Sequence, residues 1–526
     1  MLFVEPFFLL VFLPVSLAIF WLARALGGRS AVLTALLLIS ALFYFKFSIF
    51  FGVLLTASIF VNFGVGAFLI HPDHIQNSWR KPMLWFGQSY NLATLIFFKY
   101  LHNFDFMLST NMAQSMGIGD VAIPLGISFY TFHQAVFLMD AYAGEAIVKT
   151  YIGDVRRLGG KATGFVRYAA FVCFFPQLVI GPIVYMREFA PSTFRETFGR
   201  FSRIDLEVGL TLVTIGLFKK IVIADQLALN SVRILTAADG GVIADPVAAV
   251  SGVLAYFFQV YFDFSGYSDI ALGLARMFGI KLPINFYSPL RASGIVDYYQ
   301  RWHITLTRVI ARFLFTPLAL WGTRTAGTLP LKSHRRKVLA SWIPIMANFL
   351  TIQLWHGAFL TFVLFGVIHG VWYMLETEVK GTKRWRNWQK RTPDARVRLY
   401  GQMITFPLLV LTFSLFGSHS LASWKNLMQS LLVARAPLGS AFVLHDWLYI
   451  IIAFGIVWLL PNSIEFTRRY RPGFLTWDKP SLTPQSLAFA WRPTATWALV
   501  NTAMIAAVIV QMWLANQRPP FLYQGF

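Results

Sequence analysis

The chain has 526 residues, of which 57% are hydrophobic and 13% charged, where an ordinary soluble domain carries about a quarter charged. That balance excludes a soluble enzyme, and the single cysteine, Cys173, excludes an internal disulfide and argues against a thiolate metal site. The net charge of +22, from 45 basic and 23 acidic residues, lies in short loops between apolar runs, so it reads as membrane topology rather than as a nucleic-acid surface. Apolar runs of about 20 residues, the length that crosses the hydrocarbon layer as a helix, recur from end to end. The first, 7–26, has no basic n-region and follows Glu5, so it is predicted to be a retained span rather than a signal peptide. Arg24 and Arg29 after it place the next loop in the cytoplasm and the N-terminus outside.

Further spans are predicted near 31–47, 49–70, 83–101, 121–142, 164–184, 208–230, 247–278, 303–321, 338–376, 400–417, 446–461 and 494–515. The runs 247–278 and 338–376 are too long for one simple crossing, so each is expected to hold two helices or a helix and a re-entrant piece. The run 303–321 is a candidate for an interfacial helix that does not cross. The expected fold is thus all-α and polytopic, with roughly 11 to 13 hydrophobic helices and no separate soluble domain in 1–526. KGTKRWRNWQKRTPDARVR, 380–398, is the strongest cytoplasmic loop signal and a candidate dock for lipid head groups or an anionic donor. Residues 463–493, rich in Pro, Ser and Thr, are expected to form an exposed loop before a last helix and tail at 494–526.

Three polar islands interrupt the apolar pattern. In DYYQRWHITLTRVIARF, 297–313, helical spacing puts Asp297, Arg301, Thr305, Arg308 and Arg312 on one stripe and Tyr298, Trp302, Leu306, Val309 and Phe313 on the next. That predicts one amphipathic interfacial helix, with His303 off the basic stripe near Tyr299 and Thr307. YFDFSGYSDIALGLARMFG, 261–279, groups Asp263 and Asp269 in apolar surroundings, where a carboxylate faces a cavity or a partner, and suggests a helix break at Gly266. In NFLTIQLWHGAFLTFVLFGVIHG, 348–370, a continuous helix would put Asn348 and Gln353 within about 80° of His356 and His369 some 220° away. A bend at Gly357 is expected, and the two histidines are read as belonging to different surroundings. A low dielectric favours the neutral imidazole that a general base requires.

A series of long motifs resembles the membrane-bound O-acyltransferase (MBOAT) family, in particular its bacterial branch of alginate O-acetyltransferase membrane subunits and teichoic acid D-alanyl transfer proteins. The motifs are IPLGISFYTFHQAVFLMDAY at 123–142, FFPQLVIGPIVYMREFAPS at 174–192 and GLFKKIVIAD at 216–225. They continue with YFFQVYFDFSGYSDIALGLARMFGIKLPINF at 256–286, RWHITLT at 301–307, LWHG with GVIHG within 354–370, and the tail FLYQGF. Together they cover a core of about 121–376. One departure is clear. After RWHITLT the alginate type carries an Arg-Asp-Tyr-rich stretch ending in Pro-Leu-Gly-Gly, whereas this chain reads RVIARFLFTPLALWGTRTAG at 308–327.

The resemblance implies a ring of helices around a thinned central zone with a tunnel. It implies His356 as the catalytic histidine and His303 as a second functional histidine, and leaves His369 as packing; Asn348, Gln353, Asp263, Asp269, Arg301, Trp302 and Trp355 around them are the candidate supporting residues. It implies no metal and no tightly bound cofactor, but an acyl thioester such as acetyl-CoA as donor substrate. The implied partners are a periplasmic SGNH-type acetyltransferase and a polysaccharide acceptor, in the bacterial inner membrane. Two rival expectations stand beside this: D-alanyl transfer to teichoic acid from a carrier protein, and a transporter or export channel lined by Asp263, Asp269, His303 and His356.

Overall fold

The computed structural model describes residues 2–100, 123–153, 158–330, 333–432, 444–474 and 490–514. These residues form helices and their connections, with one isolated parallel bridge between Pro283 and Phe474. In hydrocarbon each backbone N–H and C=O must be paired within its own segment, and helices of apolar residues meet that demand. Among the described residues eight helices are long and apolar enough to cross a membrane, or nine if one bent pair counts as a span.

The predicted apolar runs fall on helices among the described residues, and the runs within 7–47 and at 247–278 differ in how they are divided. The first two predicted spans are one helical segment, α1 (Phe8–Phe45), interrupted at Gly28, whose left-handed φ of 69° ends one helix and starts the next between Arg24 and Arg29. The run at 247–278 is a single unbroken helix rather than two. The tail motif at 521–526 and most of the predicted loop, 475–489, lie outside the described residues.

Residue contacts divide the chain into two compact units. The first comprises Met1–Ile215, Tyr267–Ile284 and Tyr470–Lys479. It contains α1, α2 (Ile49–Ile70), α3 (Arg80–Tyr100), α4 (Ile127–Ala143), α5 (Leu158–Cys173) and α6 (Arg203–Leu217). Four of its buried polar side chains pair with each other: the amides of Asn62 and Asn91 exchange hydrogen bonds at 2.9 and 2.8 Å, and Gln134 donates to Ser58 at 3.0 Å.

The second unit comprises Gly216–Gly266, Asn285–Arg469 and Pro480–Phe526. Its longest helices are α7 (Pro246–Met277, of which 246–266 belong here), α8 (Ile304–Ala326), α9 (His334–His356) and α10 (Leu360–Gly381). They are followed by α11 (Asp394–Phe416), α12 (Leu444–Leu459) and α13 (Ala495–Leu514). Outward apolar residues such as Leu499 and Trp513 on α13, 71% and 84% exposed, are the surface that acyl chains cover in a bilayer.

The structure departs from the sequence-based expectations at five places. Gly266 does not break α7. An added Cβ there would stand 2.8 Å from the Gly216 carbonyl oxygen, so the glycine permits a close backbone crossing. The stretch 303–321 is part of α8, 23 residues long and apolar enough to cross. The single amphipathic helix predicted over 297–313 is two helices, Ile295–Tyr299 and Ile304 onward, parted at Gln300–His303. The basic 380–398 segment is mainly helical, with an exposed helix at Lys383–Arg391 whose N-terminus is capped by Thr382 accepting from the Trp385 N–H. The predicted loop from 463 begins as a buried helix, Ser463–Thr467, closed by reciprocal bonds between Asn462 and Glu465.

Candidate active site

His356 is the last residue of α9. The helix stops there: Gly357 donates its N–H to the Gln353 carbonyl at 3.1 Å, turns to extended backbone, and α10 starts at Leu360. The two histidines of 348–370 therefore sit on different helices, and the expected bend at Gly357 is a full break. The His356 ring is buried, edge-on to Phe416 with ring centres 5.4 Å apart, and 4.7 Å from the ring of Trp355. Trp355 in turn lies 6.2 Å from the ring of His303.

His303 is held more unusually. Its backbone is left-handed, with φ 44° and ψ 49°, a conformation few residues other than glycine adopt. Asn285 stabilises it. The Asn285 carbonyl accepts the Ile304 N–H at 3.0 Å. Its side-chain oxygen accepts from the Thr305 N–H at 3.3 Å and the Thr305 hydroxyl at 2.9 Å. Because a backbone N–H only donates, that atom is the amide oxygen and not the nitrogen. The same oxygen lies 3.0 Å from His303 Nδ1, so Nδ1 carries the proton and the neutral ring keeps its lone pair on Nε2. The ring also stands perpendicular to Phe264, centres 4.7 Å apart. Strained non-glycine backbone fixed by surrounding bonds is a mark of functional positions.

Both imidazoles line one small, partly open cavity. Its apolar wall is Val260, Leu306, Ile352, Phe365, Phe413, Phe416 and Trp302, and its polar lining is Tyr299, Thr307, Gln353, His303 and His356. The predicted grouping of His303 with Tyr299 and Thr307 is thus present, although helical phase is not what produces it.

The supporting residues divide. Gln353 is buried and lines the cavity, whereas Asn348, half-buried on the same helix, is not part of its wall. Trp302 lines it and stacks on Tyr298, centres 5.5 Å apart. Arg301 is committed to Asp297 at 2.6 Å. Asp263 is tied to a buried cation, with Lys220 Nζ 2.7 Å from it and 2.7 Å from Asp225. Buried ions at membrane depth require such pairing. Asp269 is buried and belongs to the first unit. His369 does not line the cavity; its two ring nitrogens engage the hydroxyls of Tyr299 and Thr412. Asn285 is the residue that sequence reasoning missed. Its only signal is an amide in the apolar run KLPINF, 18 residues before the histidine it orients.

Eight helices long and apolar enough to cross a membrane, among the described residues, make this a multi-pass membrane protein, and both histidines line one cavity in it. The chain belongs to the MBOAT, membrane-bound O-acyltransferase family, which it matches over residues 108–421, and it is an O-acyltransferase. It is 32% identical over 464 residues to the peptidoglycan O-acetyltransferase of Helicobacter pylori, covering 84% of this chain and 80% of the relative. It is 27% identical to the probable alginate O-acetylase AlgI of Pseudomonas putida, over the full length of both. It is 26% identical to the teichoic acid D-alanyltransferase of Bacillus subtilis, over 56% of this chain and 68% of the relative. Membership of an enzyme family sets aside the transporter reading.

Proposed function

We propose that this protein moves an acetyl group from a cytoplasmic thioester, acetyl-CoA, across the bacterial inner membrane for O-acetylation of an extracytoplasmic polysaccharide. A periplasmic SGNH-type partner completes delivery. The observation that carries the reading is the convergence of His303, His356 and Gln353 on one narrow, aromatic-walled cavity. Similarity to O-acetyltransferases of two cell-surface polymers supports the acetyl group and the polysaccharide class.

His356 acts as general base. It takes the proton of an acceptor hydroxyl as that oxygen attacks the thioester carbonyl, and returns it to the departing thiolate sulfur. The Gln353 amide, buried on the same helix, donates to the oxyanion that forms in between. His303 does not supply that donor: with Nδ1–H given to Asn285, its Nε2 is an acceptor and orients an O–H or N–H in the cavity. The walls are largely apolar, so these contacts act in a lower dielectric than bulk water.

The test uses the purified protein in lipid nanodiscs with its periplasmic partner and oligosaccharide acceptors. Radiolabelled acetyl-CoA is expected to transfer label to an oligosaccharide hydroxyl. Transfer only from a D-alanyl-charged carrier protein, with acetyl-CoA inert, would replace this reading with D-alanylation.

A further inference from the structure

Tyr299 is the one phenol in the cavity wall, and its hydroxyl is the first link of a chain of three side chains, Tyr299, His369 and Thr412. The direction of each proton in that chain follows from the bonds themselves. Thr412 Oγ1 lies 2.9 and 3.1 Å from the Leu408 and Leu409 carbonyl oxygens of its own helix, so its single proton is shared between them. Toward His369 the threonine oxygen can therefore only accept, at 2.8 Å from Nε2. That places the proton of His369 on Nε2 and the lone pair on Nδ1. His369 is fully buried and both its partners are hydroxyls rather than carboxylates, so the neutral ring is the form this setting holds. Tyr299 must then donate its phenolic proton to Nδ1, across 2.7 Å. The ring of His369 is fixed for this by stacking on Phe365, centres 3.9 Å apart.

A tyrosine hydroxyl whose only proton is committed presents nothing but lone pairs to anything else nearby. We infer that Tyr299 is a substrate-positioning residue, set by His369 as an acceptor-only contact that receives one O–H or N–H of a bound substrate beside the two active-site histidines. Two substrates carry such a donor: the acceptor, through its hydroxyls, and the thioester donor, through the amide N–H groups of its pantetheine arm. The inference rests on the proposed acyl transfer and adds a binding contact to it. It also gives His369 a task at a distance. His369 acts through Tyr299 and is a positioning residue.

The experiment compares Tyr299→Phe, His369→Ala and His369→Asn with the wild type in the nanodisc assay, varying acetyl-CoA and a short oligosaccharide acceptor separately. Tyr299→Phe is expected to raise one KM by about fivefold to tenfold, the worth of one neutral hydrogen bond, with kcat within about twofold. A raised KM for the acceptor identifies its hydroxyl as the partner, and a raised KM for acetyl-CoA identifies the pantetheine amide. His369→Ala is expected to shift the same KM. His369→Asn, whose amide oxygen can stand where Nδ1 was, should restore much of the affinity. Unchanged KM values in Tyr299→Phe, or a fall in kcat alone, overturn the inference while wild-type turnover leaves the proposed function standing. A second measurement needs no turnover: ¹⁵N NMR of histidine-labelled protein should show His369 protonated at Nε2, with Nδ1 moving toward a non-bonded position in Tyr299→Phe. A proton found on Nδ1 overturns the inference directly.

Discussion

Replacing His356 with alanine is expected to lower acyl transfer by about 10³-fold or more, the scale on which a lost general base is felt. The ring stands at the point where α9 ends and lines the cavity with no carboxylate in that lining to take over its proton. Alanine also removes an aromatic contact with Phe416, so a fall in activity could be confused with a loosened fold. His356→Gln separates the two. It retains much of the volume and a polar end but cannot take up a proton, and it is expected to be as inactive as alanine. Both proteins should elute as monodisperse material and retain a cooperative thermal transition in detergent. Acetyl transfer near the wild-type rate in either variant would remove His356 from the chemistry.

The second large effect concerns His303, where the choice of substitute matters. Its left-handed backbone costs most residues about 1–2 kcal/mol, and asparagine is among those that tolerate it. His303→Asn should therefore fold like the wild type while losing the Nε2 acceptor, and its kcat is expected to fall about 10²-fold. His303→Ala should show the same loss of rate together with a lower unfolding midpoint. A catalytic rate within a factor of two of wild type in His303→Asn would return this residue to a structural role. A drop in thermal stability without a drop in rate would do the same.

What could be read from the sequence followed from length and local chemistry. Apolar runs of spanning length revealed the helices, and LWHG and RWH identified the two histidines of the cavity. The chain's glycines were read less well. Gly28 and Gly357 do mark breaks, but Gly266 marks a close backbone crossing inside an unbroken helix, and a glycine in a run looks the same in both cases. The break that matters most, at His303, falls on a residue with no turn signal at all, because it is imposed by Asn285 from a separate segment. Helical phase failed over 297–313 for the same reason. It correctly parted His356 from His369, yet the hydroxyl chain that links His369 to the cavity through Tyr299 crosses three helices and leaves no trace in spacing. Asp263 illustrates the converse: its intramembrane position suggested a pathway or site, and it is a partner of Lys220.

Whether His303 and His356 serve one reaction centre is decided by the residual turnover of His303→Asn, His356→Gln and the double variant. Groups that act as a unit lose their effect together, so the double variant is expected to be about as slow as the worse single variant, measured with radiolabelled acetyl-CoA in nanodiscs. Losses that multiply, with the double variant slower by the product of the two single effects, would show that the two histidines work independently, not as one centre.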